Sequence, residues 1–386
     1  MRKLYDTEDP AKKCFLVSVW DKQIDKIEAQ SLERELLGLA STLGLVIAGQ
    51  ELVHVREKQP RFGMGSGKAQ ELAEKAAALD ADCLIFNYEL SPSQQRNWEE
   101  LANIPAVDRQ ELIIKIFAER AVTREAELQV KLAQLVYSLP RLSHKYIDLS
   151  RQRGGRYGTR GSGETLLETD RRQVEQKIQK LEKELKAVQK QRQLQRKQRE
   201  RQGLPVCAIV GYTNAGKSSL LNALTGADVL VEDKLFATLD ATTRRFEYEP
   251  GKAALLVDTV GFIRRLPHSL IKAFRSTLEE AALAALLIHV LDASEPDIES
   301  FYQTTNSVLG ELGAQNVPVV TVLNKIDKVD ASALDSLLSR FPGSTAISAK
   351  DGNGLAELKR QIGIHVPSPC KHSKHSIILG ILAQRW

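Results

Sequence analysis

Several features are scarce in this 386-residue chain, and each scarcity narrows what the protein can be. No apolar run approaches the roughly 20 residues that cross a bilayer, and Met1 leads into no apolar signal core. The cysteines lack the close spacing of metal ligands and are Cys14, Cys83, Cys207 and Cys370. We therefore expect no membrane span, buried or incidental thiols in a reducing compartment, and a cytoplasmic protein.

Net charge is also small, at +5, because 54 Lys and Arg nearly balance 49 Asp and Glu. Hydrophobic residues make up 42% and charged residues 27%, which is ordinary for a globular chain. The length fits two or three domains. What distinguishes the sequence is therefore its local motifs and an uneven distribution of charge.

One stretch has the spacing of a phosphate-binding loop, namely a glycine, four free positions, and Gly-Lys-Ser. A buried-strand pattern precedes it at residues 206–210, and a helical pattern follows it from Ser219. A strand that turns into a helix N-terminus directs several N–H groups at one point, which favours an anion. The predicted phosphate contacts are Gly211, Tyr212, Thr213, Asn214, Ala215, Gly216, Lys217 and Ser218.

Further stretches follow in the order that a GTPase needs. Asp258 ends a strand pattern and opens Asp-x-x-Gly, whose Gly261 N–H can reach a γ-phosphate. The Asp327 carboxylate can accept two hydrogen bonds from guanine, a pair of donors that adenine lacks, and the Ala349 N–H can reach guanine O6. The predicted nucleotide contacts here are Phe236, Ala237, Thr238, Leu239, Asp240, Asp258, Thr259, Val260, Gly261, Asn324, Lys325, Ile326, Asp327, Ser348, Ala349 and Lys350.

The cofactor predicted for this site is Mg²⁺, held by Ser218, Thr238 and Asp258. Thr242 and Thr243 are alternatives to Thr238 as the second hydroxyl ligand. The residues predicted to act in catalysis are Lys217, Thr238 and Gly261.

The residue after Gly261 is unusual for a GTPase. Phe262 stands where many of these enzymes carry a glutamine that orients water, and a phenyl ring cannot polarise water. We therefore expect slow hydrolysis by the protein alone, with the missing group supplied or positioned by a partner. Arg264 and Arg265 are candidates for contacting that partner.

The first 120 residues alternate strand and helix patterns, which predicts a small parallel α/β domain. Strand patterns lie at residues 14–20, 44–48 and 83–87, a helix pattern at 31–43, and Ser91 opens a further helix. A second glycine-rich turn runs from Gly63 to Lys68, with Phe62 where a phosphate loop needs its first glycine. We favour a flexible turn into a helix near Ala69, and phosphate contact is the alternative.

Residues 121–203 predict a long antiparallel helical hairpin. One helical stripe continues from Leu112 to Val136, and a second runs from about Glu168 to Arg201. From Arg171 to Arg201, twelve Lys and Arg face four acidic residues, an excess too large for mutual pairing. Nucleic-acid binding is our interpretation, with a solvated helix face as the alternative.

The loop at the tip of this hairpin, residues 151–163, has four arginines, five glycines and no acid. Arginines pair bidentately with phosphate and a tyrosine ring can stack on a base. The RNA-binding residues predicted there are Arg153, Arg156, Tyr157 and Arg160. The alternative is a disordered linker.

The sequence resembles the translation-factor-related P-loop GTPases, and among them the Obg–HflX branch. Phe-Ala-Thr-Leu-Asp at 236–240 and Asp-Thr-Val-Gly-Phe-Ile at 258–263 are similar to that branch. Residues 90–97, 129–135 and 161–172 look like the HflX family in particular, and the resemblance runs from about Ala11 to about Gly363.

The resemblance implies a GTPase that binds GTP or GDP, the large ribosomal subunit and its rRNA. In that family the hairpin loop reaches towards the peptidyl-transferase region, and the protein separates stalled or hibernating ribosomes under stress. We expect a monomer stimulated by ribosomes. The rivals are a P-loop ATPase or kinase, an RNA-binding scaffold that uses nucleotide only for structure, and ATP binding by the N-terminal domain.

The sequence therefore predicts an α/β chain with four segments. They are an N-terminal α/β domain (1–120), the basic helical hairpin (121–203), a doubly wound GTPase domain (204–365) and a short tail (366–386). Family members often carry a further small domain where this chain has its tail. His365, His372 and His375 could suggest a metal site there, but we favour a basic tail.

Overall fold

The computed structural model describes residues 12–144, 162–201, 204–227, 232, 234–265 and 280–366. The chain forms two compact units. The first comprises residues 1–187, 232–240 and 265–275, and the second comprises 188–231, 241–264 and 276–386.

The first unit alternates strands and helices. Its elements are β1 (Lys13–Trp20), α1 (Lys26–Thr42), β2 (Val46–His54), α2 (Ser66–Ala78), β3 (Cys83–Phe86), α3 (Pro92–Ala102), β4 (Ala106–Asp108), α4 (Arg109–Arg120) and α5 (Arg124–Ser138), with a 3₁₀ helix at Leu139–His144. The strands form a parallel sheet in the order β2-β1-β3-β4. The predicted parallel α/β domain is confirmed.

Strand β1 is buried on both faces, with residues 14–19 all buried, which fits its inner position in this sheet. Phe15 and Val17 pack in one cluster with Leu72 of α2 and Trp98 of α3. The α3 helix begins as predicted after Ser91, which exchanges hydrogen bonds with Gln94 in a capping box.

The helical stripe expected to continue from Leu112 to Val136 is two helices, so that part of the prediction is wrong. The Thr123 side chain accepts the Ala126 N–H and caps α5, while Ala121 is extended. The Asp240 carboxylate accepts the N–H groups of Val122 and Thr123, which a continuous helix would direct at its own carbonyls.

The second predicted hairpin helix is α6 (Ser162–Arg201), which begins six residues before the expected start at Glu168. The connection between α5 and α6 includes residues 145–161, which lie outside the described part of the chain. Across the described residues, no helix has the length and apolar character needed to span a membrane.

The second unit contains a six-stranded sheet in the order β10-β9-β8-β5-β7-β6. Its elements after α6 are β5 (Val206–Gly211), α7 (Lys217–Thr225), β6 (Thr242–Glu249), β7 (Lys252–Asp258), β8 (Leu286–Asp292), α8 (Ile298–Glu311), β9 (Val319–Asn324), α9 (Ala331–Arg340), β10 (Thr345–Ala346) and α10 (Leu355–His365). All neighbours pair in parallel except β6 with β7. This is the doubly wound, mostly parallel GTPase sheet that the sequence predicted.

The two faces of β5 are covered by different helices. Cys207 and Ile209 pack in a cluster with α7 and α10, while Ala208 and Val210 pack with Val308 on α8. Because the strand order reverses at β5, with β6 and β7 on one side and β8 to β10 on the other, its carboxyl end is the position where open α/β sheets bind ligands.

Three of the four cysteines lie in these cores as free thiols. Cys14, Cys83 and Cys207 are buried, and burial raises the pKa of each thiol above its usual range. Their interpretation as buried thiols is confirmed, whereas Cys370 lies outside the described residues.

Candidate functional site

The predicted phosphate loop connects β5 to α7 at the carboxyl end of the central strand. Gly211 and Gly216 have φ values of 147° and 91°, and Asn214 has 62°. A β-carbon on Gly216 would clash with the Asn324 side-chain amide, and one on Gly211 would clash with the Val290 carbonyl. Glycine is therefore required at both ends of this loop.

Lys217 is the first residue of α7 and is buried. Its ammonium donates to the Tyr212 carbonyl at 2.8 Å. Burial lowers the pKa of Lys217 to about 8; Asp258 opposes this and Lys325 adds to it. A phosphate beside this ammonium would favour its charged form.

Two of the three donors expected to hold Mg²⁺, Ser218 and Asp258, meet at the end of β7. The Ser218 hydroxyl donates to Asp258 Oδ2 at 2.6 Å, and Asp258 is fully buried. A hydroxyl and a carboxylate are hard oxygen donors, and Mg²⁺ prefers one or two carboxylates together with phosphate oxygens and water. Ser218 and Asp258 therefore fit Mg²⁺, which when bound would neutralise charge on the phosphates.

The motifs predicted to bind guanine lie together at the carboxyl ends of β9 and β10. Asn324 connects them to the phosphate loop, because its amide donates to the Ala215 carbonyl and accepts the Ala349 N–H, each at 3.0 Å. The Ser348 hydroxyl donates to Asp327 Oδ1 at 2.8 Å. This hydrogen bond is the main cause of a lowered pKa at Asp327, and an ionised carboxylate is what the predicted guanine contact requires.

Lys325 and its neighbours complete this edge. The Lys325 ammonium donates to the Asn214 carbonyl at 2.8 Å and pairs with Asp292 at 2.7 Å. Ile326 and Asp327 open a short 3₁₀ helix, and Lys350 is exposed.

The segment Asp258 to Phe262 runs beside the phosphate loop. The Thr259 hydroxyl donates to the Ile209 carbonyl at 2.7 Å, and Val260 is buried. The Phe262 side chain is also buried, in the cluster that contains Ala208 and Leu287. It therefore cannot orient water, as the sequence suggested.

The predicted switch segment, residues 236–240, belongs to the first unit. Phe236 is buried, has a φ of 57°, and meets Phe117 of α4 edge-on with ring centroids 4.8 Å apart. Asp240 accepts hydrogen bonds from the start of α5, including one from the Thr123 hydroxyl. Ala237, Thr238 and Leu239 lie between these anchors, and their nucleotide contacts stay predictions, as does the choice of Thr238 over Thr242 and Thr243.

The two arginines after Phe262 have different contacts. The Arg264 guanidinium lies over the Phe301 ring, 5.1 Å from its centroid, whereas Arg265 pairs with Glu28 within the first unit at 3.0 Å. Their role towards a partner stays a hypothesis.

The basic helix α6 separates apolar and charged side chains. Val174, Ile178 and Leu181 are half-buried and Leu185 is buried. Five exposed lysines make no ion pair with any described residue and form what we call the lysine face, namely Lys177, Lys180, Lys183, Lys186 and Lys190. Arg171 and Arg172 pair with Glu175 and Glu168. Arg153, Arg156, Tyr157 and Arg160 lie outside the described residues.

The second glycine-rich turn differs from the first. Helix α2 begins at Ser66, three residues before the expected start, and the Lys68 ammonium pairs with Glu51 and Glu71 at 3.1 and 2.8 Å.

In the tail, the His365 ring lies 2.9 Å from the Gln361 carbonyl, and His372 and His375 fall outside the described residues. Within the described ranges, no cluster of His, Cys, Asp and Glu could hold a metal.

Sequence patterns did not identify three residues that lie beside the site. Asp292 follows the apolar run of β8, a strand-end signal that could have been found, while Asp351, 3.1 Å from the Ser348 hydroxyl, stands in a loop without a pattern. Phe301, which stacks on Tyr212, has no local signal either.

Comparison with known proteins gives consistent results along the chain. Residues 30–118 match the family described as "GTP-binding GTPase N-terminal", residues 120–199 "GTP-binding GTPase Middle Region", and residues 206–325 "50S ribosome-binding GTPase". The GTPase HflX of Akkermansia muciniphila is 48% identical over 370 residues, which cover 93% of this chain and 85% of that protein. The GTPase HflX of Escherichia coli (strain K12) is 40% identical over 358 residues, with coverages of 92% and 83%.

A solved GTP-binding protein of Sulfolobus solfataricus, in complex with GDP, is 25% identical with a TM-score of 0.47. The match covers 92% of this chain and 98% of that one. The sequence relatives carry the assignment, because they are similar over most of both chains. Together with the GTPase site in the second unit, they show that this chain is a GTP-hydrolysing enzyme and belongs to the HflX family of GTPases.

Proposed function

We propose that this GTPase binds the large ribosomal subunit through its rRNA and uses GTP to separate stalled or hibernating ribosomes under stress. The observation that carries the proposal is the lysine face of α6. The match of residues 206–325 to a family described as "50S ribosome-binding GTPase" gives independent support.

The lysine face suits a nucleic-acid backbone. At 100° per residue the apolar side chains from Val174 to Val188 fall within roughly 80° of one another. Four of the lysines lie on the other side of the helix, namely Lys180, Lys183, Lys186 and Lys190, and Lys177 lies at the edge of the apolar stripe. Lysines without carboxylate partners can replace the counterions of a phosphate backbone. We propose that Arg153, Arg156, Tyr157 and Arg160 add phosphate and base contacts at the tip.

The nucleotide roles that we propose follow the geometry of the second unit. The amides of residues 211–218 and the Lys217 ammonium bind the phosphates, and Gly261 acts on the γ-phosphate. Asn324 to Asp327 and Ser348 to Lys350 bind guanine. Ser218 and Asp258 would hold Mg²⁺, which reduces the negative charge of the phosphates when it is bound, and Thr238 of the first unit stays the predicted third ligand.

The anchors of residues 236–240 support a link between nucleotide and RNA binding. Thr238 stands between Phe236, which packs on α4, and Asp240, which binds the start of α5. In the sequence, α5 precedes the segment that contains the proposed RNA contacts. A ligand that changes the position of Thr238 would therefore act on the helix that precedes the proposed RNA contacts.

Turnover and cosedimentation test the proposal together. We expect purified large subunits to raise GTP turnover, and ribosome binding to be tighter with a non-hydrolysable GTP analogue than with GDP or no nucleotide. We also expect 70S ribosomes to separate into subunits on sucrose gradients. Equal cosedimentation in all three states, with unchanged turnover, would instead indicate a scaffold that uses nucleotide only for structure.

A charge variant tests the lysine face directly. Lys183→Ala with Lys186→Ala should weaken ribosome binding and reduce the slope of log affinity against log salt by about 0.7–0.9 for each lost phosphate contact. Lys22→Ala with Lys26→Ala removes the same charge from exposed residues of the first unit and is the matched control. An unchanged slope in the α6 variant would remove the lysine face from the interface.

A further inference from the structure

Backbone contacts join the first half of the phosphate loop to the segment after Asp258. Strand pairing continues one residue beyond Gly211, where Tyr212 and Phe262 form a parallel bridge. The Phe262 N–H donates to the Gly211 carbonyl at 3.1 Å, and the Thr213 N–H donates to the Phe262 carbonyl at 2.7 Å.

The Tyr212 side chain adds a contact that strand pairing does not require. Its hydroxyl accepts the Arg264 N–H at 2.8 Å, and both residues are buried. Phe301 of α8 lies flat on the Tyr212 ring, with centroids 3.7 Å apart and an interplanar angle of 4°. The Arg264 guanidinium lies over the same Phe301 ring. We call Tyr212, Arg264 and Phe301 the tyrosine clamp.

Gly261 is the residue whose position the clamp can affect. A β-carbon there would lie 2.7 Å from Thr213 Cα and 2.9 Å from Lys217 Nζ, so its backbone lies directly against the phosphate loop. Hydrolysis depends on donors that are already in place where charge develops on the transferred phosphoryl group. Because Gly261 has no side chain and Phe262 has no polar side-chain group, these two residues can contribute only through their main chain.

We propose that Tyr212 is a positioning residue for GTP hydrolysis. Its hydroxyl fixes the Arg264 end of the segment, and its stack on Phe301 fixes the ring, so that Gly261 is held at the phosphate loop. The side chain acts on turnover and not on nucleotide affinity. The proposed phosphate and guanine contacts come from loop amides, Lys217 and residues 324–327, none of which needs the Tyr212 ring.

Tyr212→Phe removes the hydroxyl and keeps the ring. We expect kcat for GTP to fall about fivefold, the factor that corresponds to one buried neutral hydrogen bond. The KM for GTP and the Kd for GDP should stay within about twofold of wild type. All assays omit ribosomes, so a failure here leaves the ribosome proposal untouched, and failure of that proposal leaves this one untouched.

The matched control is Tyr302→Phe, at the next position of α8. The Tyr302 ring stacks on buried His289, with centroids 5.1 Å apart, and its hydroxyl makes no hydrogen bond to a described residue. This variant should keep the wild-type kcat. Thermal unfolding of each variant checks that it folds.

Phe301→Leu tests whether the clamp acts as a unit. It should also lower kcat, and combined with Tyr212→Phe it should lower kcat by less than the product of the two single effects. The proposal is overturned when Tyr212→Phe keeps kcat within twofold of wild type or raises it. It is equally overturned when GDP affinity falls in step with kcat, or when Tyr302→Phe has the same effect.

Discussion

Two glycine-rich turns of the described chain, residues 63–68 and 211–217, each lead into a helix and carry a lysine, and of this pair the second has the environment of a phosphate site. Lys217 is buried and its ammonium meets a main-chain carbonyl, whereas Lys68 meets the carboxylates of Glu51 and Glu71. The Glu71 hydrogen bond is the main cause of the raised pKa of Lys68. A lysine that already pairs with two carboxylates attracts an anion only weakly. The partners of the lysine therefore decide whether such a turn can bind phosphate, and the preceding glycines alone do not.

The two turns also differ in where the lysine enters the helix. Lys217 is the first residue of α7, directly after the residues 212–216 that connect it to β5, while Lys68 is the third residue of α2. The Lys68 ammonium is therefore directed to β2 and to its own helix. The alternative of phosphate contact at Gly63 to Lys68 receives no support from this arrangement.

Replacing each lysine by methionine gives the largest expected difference between the two turns. Lys217→Met should reduce GDP affinity and GTP turnover by about 100-fold or more, because a charge aimed at the phosphates in a buried site is lost. Lys68→Met should leave GDP affinity and GTP turnover within about twofold of wild type. Titration with a fluorescent GDP analogue and a phosphate-release assay measure the two effects. Equal losses in the two variants would mean that both turns bind nucleotide.

Selectivity for guanine should depend on Asp327, at the end of the site opposite the phosphate loop. Asp327→Asn replaces an acceptor by an amide that cannot accept both guanine donors, so GTP affinity should fall by about 100-fold. Xanthine carries a carbonyl in place of the guanine amine, so affinity for XTP should rise in the same variant. Competition between GTP and XTP measures the change, and an unaltered preference for GTP would remove Asp327 from the base contact.

The lowered pKa of Lys217 predicts a dependence on pH that Lys68 cannot produce. Below pH 8 the ammonium is already protonated, so phosphate binding takes up no proton and affinity stays constant. Above pH 8 binding must first protonate the amine, and GDP affinity should fall about tenfold by pH 9.

Lys217→Arg is the matched control for this pH profile, because its guanidinium stays charged throughout. Its GDP affinity should be flat between pH 7 and 9, which separates the lysine from any titration of the base. The same decline in both proteins would exclude Lys217 as its cause.

The sequence predicts those parts of the site whose residues are close together along the chain. The phosphate loop is eight consecutive residues between a strand and a helix, so spacing alone identifies it. The guanine motifs follow apolar strands for the same reason. Phe301 stacks on Tyr212 from a helix almost ninety positions later in the chain, where neither period nor motif distinguishes it from a core residue.

The break between α4 and α5 shows a second kind of limit. Apolar residues from Leu112 to Val136 keep a helical period through it, yet the chain turns at Ala121 and restarts after Thr123. Part of the cause is the Asp240 carboxylate, which accepts hydrogen bonds from Val122 and Thr123 more than 100 positions away. A tertiary contact of this kind overrides a periodic pattern.

The smallest expected effect is on stability and concerns Lys68 itself. Lys68→Met keeps most of the aliphatic stem and removes ion pairs whose side chains are 31% and 27% exposed for Lys68 and Glu51. Because solvent and salt screen such pairs, the free energy of unfolding should change by less than about 1 kcal/mol. Urea unfolding at low and high salt measures the change, which should shrink at high salt. A loss above about 2 kcal/mol would mean that Lys68 holds the fold of the first sheet rather than only occupying its two carboxylates.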